Sequence, residues 1–226
     1  MKKQIHCSIT RQALSPHFSQ NALETIIGAN LGQDAWQYQF GHAHFHYDNN
    51  SFASGDAYID ELRRSIVDAL QRGDDVPARQ SFGRLTHAAQ DFYAHSNYIA
   101  LWRESHPEAA PNETDPLSAV LLSDSCLLSG RIYYPLEALT FIKVLKPYIV
   151  PLLPRDSHAW MNIDDPSRPN FEYAYAAAVK RTELEFERLC KVLSQEQIQL
   201  FTETRNRKSQ RVIIIIWTKR LNLTMQ

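Results

Sequence analysis

One stretch constrains this chain more than any other: residues 82–102, which read FGRLTHAAQDFYAHSNYIALW. Within it, His87, Asp91 and His95 recur at intervals of four residues. Because an α-helix turns about 100° per residue, each interval advances only about 40° around the axis, so the three side chains share one helix face. Two imidazoles and a carboxylate suit a borderline divalent ion such as zinc. The alternative is a set of solvated or hydrogen-bonded core side chains, since a single helix rarely completes a metal site.

The rest of the chain favours an all-α domain. Its 226 residues are enough for one domain with a sizeable core, and only 7 of them are Gly, which suits helices better than a many-turned β fold. We expect about six or seven helices packed around residues 82–97, forming one multi-helix domain over residues 1–204. The apolar spacing and capping residues predict helices over residues 9–14, 19–30, 54–71, 77–97, 116–122, 136–145 (buried), 171–193 and 194–204.

The composition changes after residue 204. The segment 205–226 carries six basic residues and the run VIIIIW, which is β-prone. We predict a short basic tail that is not part of the helical core. The alternative is an edge strand.

Charge and cysteine content exclude several classes of protein. The 24 basic and 25 acidic residues give no bias towards nucleic acid, so no stable nucleic-acid complex is expected. The three cysteines are far apart and fit neither a disulfide framework nor a CxxC zinc site. The longest apolar run, residues 212–217, is far below the ~20 residues of a membrane span. With no apolar signal-peptide region after Lys3, the expectation is a cytoplasmic protein without a transmembrane segment.

A second concentration of metal-capable side chains lies in GHAHFHYDNNSF, residues 41–52. His42, His44, His46 and Asp48 alternate along it, and alternate residues of an extended segment share one face. The alternative is a polar loop that happens to be rich in histidine.

The setting of the HxxxDxxxH motif, LTHAAQDFYAHSNYIALW, resembles proteins of the heterokaryon-incompatibility C (Het-C) type. These are similar to the all-helical zinc-dependent phospholipase C and single-strand nuclease superfamily. The resemblance covers roughly residues 5–193. Other stretches occur in the family's order: HCSITRQAL, IIGANLGQDAW, HAHFHYDNN, LLSGRIYY and NIDDPSRP.

The resemblance implies a cluster of zinc ions, with Asp91 bridging two of them. The matching ligands are His6, Asp34, His44, His87, Asp91 and His95, with His46, Asp48 and Glu172 as weaker candidates. His46 competes with His44 for the same role. The superfamily completes a third ion with a His-x3-Glu pair, but Arg168 stands four residues before Glu172 here. Two zinc ions are therefore expected, with the third site altered or lost. Read without the resemblance, His6 is a surface histidine near a terminus.

The function implied by the resemblance is zinc-dependent phosphodiester hydrolysis of the phospholipase C type. A metal-bridged hydroxide would attack a phospholipid or another phosphodiester, with Asp34 as the catalytic residue that orients or deprotonates the water. The alternative is a non-catalytic Het-C-like recognition or toxicity module with a structural metal. Five aromatic residues could contact a lipid or a base, although core packing is the favoured interpretation: Phe45, Tyr47, Phe92, Tyr93 and Trp102.

Overall fold

The computed structural model describes residues 1–39, 41–142 and 144–203. These residues form a multi-helix domain, which confirms the all-α prediction. The α-helices are α1 (Lys3–Leu14), α2 (Gln20–Gly32), α3 (Trp36–Gln39), α4 (Phe52–Gln71), α5 (Asp75–His95), α6 (Tyr98–Ser105), α7 (Ala119–Leu122), α8 (Lys146–Ile149), α9 (His158–Met161), α10 (Phe171–Cys190) and α11 (Gln195–Thr202). The 3₁₀ turns are Ala43–Phe45, Pro111–Glu113, Leu136–Phe141 and Val150–Leu152.

Helix α5 lies at the centre of the domain. It packs against α2, α4 and α10, and its second half is buried on all sides. Leu85, Ala88 and Ala89 are fully buried and Phe92 nearly so, so these side chains supply the predicted apolar contacts around the His/Asp face. The expectation that the other helices pack around this segment is confirmed.

The contact between α2 and α5 depends on Gly83. A Cβ at this position would lie 2.2 Å from the carbonyl oxygen of Ile26 and 2.9 Å from the backbone nitrogen of Asn30. Only glycine lets the two helix backbones approach this closely. The Asn30 amide also donates to the Thr86 hydroxyl at 3.0 Å. This close packing carries the end of α2, and Asp34 just beyond it, to the side of α5 that bears His87.

Helix α11 ends in a clamp made by Arg79. The predicted capping box of Ser194 and Gln197 begins this helix. At its other end, the buried Arg79 guanidinium donates to the carbonyls of Phe201 and Leu200 at 2.9 Å and of Glu203 at 2.5 Å. These bonds satisfy carbonyl groups that a helix C-terminus leaves without partners. The predicted tail over residues 205–226 lies outside the described residues.

Two helix predictions differ from the structure. Helix α1 begins at Lys3 rather than Ile9, which brings His6 onto a buried helical face. The predicted buried helix over residues 136–145 is wrong: this segment is a 3₁₀ turn followed by exposed residues, with Val144 74% exposed. A helix as short as the stretch between Pro135 and Pro147 depends on packing an apolar face, and Val144 and Leu145 are exposed instead. Within the described ranges, no helix is both long and apolar enough to cross a membrane.

Candidate metal centre

The three polar side chains on the α5 face are buried and directed at one centre. His87 and Asp91 are fully buried and His95 is 5% exposed. The two oxygens of Asp91 face different partners: Oδ2 lies 2.8 Å from His46 Nδ1 and 3.0 Å from His87 Nε2. Oδ1 lies 3.2 Å from His6 Nε2. A carboxylate placed in this way can bridge two cations.

The first group of donors is His46, His87 and Asp91. The nearest nitrogens of His46 and His87 lie 3.1 Å apart, and both are within 3.0 Å of Asp91 Oδ2. Donor atoms on a tetrahedral zinc ion, with bonds of about 2.0–2.1 Å, lie about 3.3 Å from one another. A displacement of a few tenths of an ångström therefore makes this group fit a metal.

The second group is His6, Asp34 and His87. The His6 and His87 rings stack with their centroids 4.2 Å apart, and Asp34 Oδ1 lies 3.7 Å from His87 Nε2. His6 Nδ1 lies 2.7 Å from the Gln90 side-chain oxygen, which accepts its proton. The lone pair of His6 is thereby placed on Nε2, a buried atom without a hydrogen-bond partner in the described structure. A second residue that fixes the tautomer in this way is typical of metal-ligating histidine.

Gln90 is itself held in one orientation. Its amide nitrogen donates to the hydroxyls of Thr10 at 3.1 Å and Thr182 at 3.2 Å. Because the nitrogen is occupied, the oxygen must face His6. Helices α1 and α10 therefore set the orientation of the imidazole through one buried amide.

The third group is Asp48, His95 and His158. Asp48 Oδ1 lies 2.8 Å from His158 Nδ1 and 3.5 Å from His95 Nδ1. Asp164 lies on the other edge of the His95 ring, with its Oδ1 3.3 Å from His95 Nε2. Sequence reasoning missed His158 and Asp164, although SHAWMNIDDPSRPN showed both in one polar loop.

Arg168 supports the third group from behind. Its guanidinium donates to the carbonyls of Trp160 and Asn162, the latter at 2.7 Å, and so braces the segment that carries His158. The resemblance implied a histidine at position 168, where this chain has arginine. The imidazole in the third group belongs to His158, ten residues earlier. Glu172, a weaker candidate, is exposed in the first turn of α10 and belongs to none of the three groups.

The structure brings His46 and Asp48 to the centre rather than His44. The segment is not extended, because Ala43–Phe45 is a 3₁₀ turn and Tyr47 has a positive φ of 58°. His44 instead packs against Phe45 and Tyr58, with ring centroids 4.4 Å and 5.6 Å away. The preference for His44 over His46 is therefore corrected by the local backbone.

Burial keeps His6 and His87 in the neutral form that metals bind, whereas at His46 burial opposes the charged form but Asp91 outweighs it and raises the pKa. Burial lowers the pKa of His87 to about 4, against the attraction of Asp91. Burial also lowers the pKa of His6. For Asp91 burial opposes the charged form, but the Met1 amino group, His95 and His87 outweigh it and hold the pKa well below its usual value. Neutral imidazoles and an ionised carboxylate are the protonation states required of ligands.

Two groups at this centre carry or favour positive charge: the Met1 amino group and the His158 imidazole. The Met1 amino group lies 2.5 Å from Asp91 Oδ1 and 3.1 Å from Asp164 Oδ1. For His158, burial opposes the charged form, but Asp48, Asp164 and Glu137 raise the pKa to about 9. The carboxylates thus create positions where positive charge is favoured.

A cavity of about 550 Å³ adjoins this centre. Six of the polar side chains line it, and His6, His87 and Asp91 do not: the six are Asp34, His46, Asp48, His95, His158 and Asp164. The aromatic residues contribute mainly to the core: Tyr47, Phe92, Tyr93 and Trp102 are all at most 4% exposed, which confirms the favoured interpretation for these four.

The fold and the site define an all-α domain with a buried centre of histidine and aspartate side chains. The family model described as the VWA7 N-terminal domain matches residues 1–115, half of the chain. The chain therefore belongs to that family.

Curated relatives agree with this assignment. Over 87 residues the chain is 34% identical to von Willebrand factor A domain-containing protein 7 of Homo sapiens, covering 38% of the chain and 10% of the relative. The Rattus norvegicus protein of the same name is 32% identical over 87 residues, with the same coverage. The Mus musculus protein is 31% identical over 97 residues, covering 41% of the chain and 11% of the relative. The chain thus spans about a tenth of the length of these relatives. No solved structure gives a significant match.

These matches correct the resemblance to the Het-C type. The family is that of the VWA7 N-terminal domain, so the phospholipase C-like phosphodiesterase activity inferred through Het-C falls with that resemblance, as does the Het-C-like recognition module.

Proposed function

We propose that this domain binds divalent metal ions at its His/Asp centre, with zinc as the ion best suited to the donors. The observation that carries the proposal is the placement of Asp91, whose two oxygens face two different sets of histidine nitrogens. Imidazole and carboxylate are the usual zinc ligands when thiolate is absent, and no cysteine belongs to the three described groups.

In this arrangement Asp91 would be shared by two ions. His46 and His87 would hold one, and His6 and Asp34 would hold the other. The group of Asp48, His95 and His158 offers a position for a third. One buried nitrogen supports this arrangement, since His6 Nε2, which faces Asp91 Oδ1, has no hydrogen-bond partner in the described structure. A buried donor or acceptor without a partner is unfavourable, and coordination would remove that penalty.

Metal binding in this position would be linked to folding. The ligands come from α1, α5, α9 and the loops after α2 and the Ala43–Phe45 turn, so an unfolded chain does not assemble the centre. A ligand that binds only the folded state stabilises it by mass action. The domain is therefore expected to unfold at a lower temperature after chelation.

The first test is Asp91→Asn, measured by metal analysis and by thermal unfolding with and without chelator. Asparagine keeps the volume of Asp91 but loses its charge and one strong acceptor oxygen. We expect zinc affinity to fall by more than about 100-fold, since losing only an outer-shell partner already costs about 10–100-fold. The chelator should then no longer lower the melting temperature.

A matched pair in one loop makes the test specific. His46→Ala removes a residue of the proposed centre, whereas His44→Ala removes an imidazole that packs against Phe45 and Tyr58. We expect zinc to be lost only from the His46 variant. Wild-type zinc content in both Asp91→Asn and His46→Ala would overturn the proposal, as would a wild-type chain that neither binds zinc nor responds to chelator.

A further inference from the structure

A second feature of the surface is independent of the metal centre. Residues 138–154 read ALTFIKVLKPYIVPLLP, with ten large hydrophobic side chains, two lysines and no acidic residue. Such a run is expected in a core, but the structure places much of it in solvent. Val144 and Tyr148 are each 74% exposed, Leu152 is 68% exposed and Ile142 is 47% exposed. We call residues 138–152 the apolar lobe.

The exposure of the apolar lobe is built into the fold. Before the lobe, Glu137 is 3% exposed and accepts a hydrogen bond from the Ala159 amide at 2.6 Å. After the lobe, Leu153 is 5% exposed and its carbonyl accepts from the Trp160 indole nitrogen at 3.2 Å. Both hydrogen bonds join a flank of the lobe to α9, so the lobe is fixed at its two ends.

The clustering is unusual within the described chain. Seven of its twelve exposed large hydrophobic residues lie between residues 134 and 152. Single exposed apolar residues are normal, but a contiguous exposed patch marks a surface that binds something. We therefore expect this patch to bind another surface.

We propose that the apolar lobe inserts into the interfacial layer of an anionic lipid bilayer. Lys146 is exposed within the lobe, and the sequence of residues 138–154 contains a second lysine, Lys143, and no acidic residue. Apolar side chains interleaved with lysine, and tyrosine at the boundary, are typical of segments that lie in the interface without spanning it. Lys3 also lines the cavity beside the lobe together with Lys146, whereas Lys2 is paired with Asp165.

The expected occupant is a lipid surface rather than a second protein because residues 138–154 contain two lysines and no acidic residue. The lobe offers hydrophobic groups and positive charge, which match acyl chains and anionic headgroups. Ala138, Thr140 and Lys146 also line the cavity that adjoins the His/Asp centre, so docking would bring the cavity close to the bilayer surface.

The test uses the full chain and vesicles of phosphatidylcholine with about 30% phosphatidylserine, compared with phosphatidylcholine alone. Chelator is present throughout, so that the metal centre cannot hold a headgroup. We expect sedimentation with the anionic vesicles. The double variant Val144→Ser, Tyr148→Ser should partition at least about tenfold more weakly, because two exposed apolar side chains no longer enter the interface. Lys146→Gln should weaken binding about fivefold.

The matched control is Lys191→Gln, Val192→Ser, which makes equivalent changes just beyond α10. Val192 is 67% exposed and Lys191 is exposed, so neither change should affect folding or vesicle binding. Circular dichroism and melting curves confirm that all variants fold. Equal vesicle binding by the lobe variant and the wild type would overturn the proposal. That result is expected if residues 205–226, rather than the lobe, bind the vesicles. An absence of binding by the wild type would also overturn the proposal, as would a dimer that becomes a monomer in the lobe variant.

Discussion

Asp91 and Glu185 are both fully buried carboxylates, and their surroundings differ in a way that separates a metal site from an ion pair. Glu185 receives three guanidinium groups, from Arg63, Arg181 and Arg188, at 2.6–3.0 Å. The side chains around Asp91 are histidines, and burial keeps His87 neutral. Guanidinium groups, which do not ligate metals, balance the charge of Glu185, whereas Asp91 faces the Met1 amino group and histidine nitrogens that can ligate a metal. The metal proposal therefore rests on Asp91.

At the same scale, we predict that Glu185→Gln destabilises the domain by about 3–5 kcal/mol, because it leaves the buried Arg181 without its charged partner. Glu187→Gln, at an exposed position two residues further along α10, should change stability by less than about 0.5 kcal/mol. Urea unfolding at neutral pH measures both. Equal midpoints for the two variants would contradict the prediction.

The effect of Glu185→Gln on stability should depend on pH. Burial opposes the charge of Glu185, but Arg181 and Arg63 outweigh it and lower the pKa below 4.5. A lowered pKa contributes stability that is fully present above the unfolded value and is lost as the pH falls through the folded value. The difference in stability between wild type and Glu185→Gln should therefore be largest at neutral pH and shrink in acid.

At the scale of elements, the packing of α2 on α5 has a testable steric requirement. Gly83 lies against the α2 backbone, whereas nothing lies within 4 Å of a Cβ built on Gly28, which is exposed on α2. We predict that Gly83→Ala destabilises the domain by about 1–3 kcal/mol through overpacking. Gly28→Ala should stabilise it by about 0.5–1 kcal/mol through helix propensity. Thermal unfolding separates the two signs, and a gain in both variants would refute the close contact.

Elements also show what the sequence could predict about the site. The four-residue spacing on α5 predicted the shared face of His87, Asp91 and His95 because helical periodicity is local. The choice between His44 and His46 depended on the positive φ of Tyr47, which alternation in the sequence does not encode. His158 was missed because its position is set by long-range contacts, such as the bond from its amide to the Arg131 carbonyl at 2.8 Å.

For the whole molecule, periodicity and capping predicted the all-α class and most of the long helices. Burial was less predictable where composition and context disagree. Residues 136–145 are apolar enough for a core, yet the segment forms a 3₁₀ turn and leaves Leu139, Ile142, Val144 and Leu145 exposed. Conversely, the position of His6 near the terminus predicted a surface residue, but α1 begins earlier than predicted and buries His6 completely.

The boundary of the domain gives the last prediction. Arg79 closes the end of α11 by binding the carbonyls of Leu200, Phe201 and Glu203, and Phe201 is fully buried. Because this closure uses only residues up to 203, we predict that a chain ending at Thr204 melts within about 2 °C of the full chain, a shift of less than about 0.5 kcal/mol.

A shorter chain ending at Leu193 is the matched control. It loses α11, so the pocket of Phe201 empties and the buried Arg79 loses all three carbonyl partners. We expect a loss of at least about 3–5 kcal/mol, the usual effect of removing a buried phenylalanine. If the chain ending at Thr204 instead loses soluble expression as the shorter one does, the VIIIIW run must pack on the core, and the domain extends beyond the Arg79 clamp.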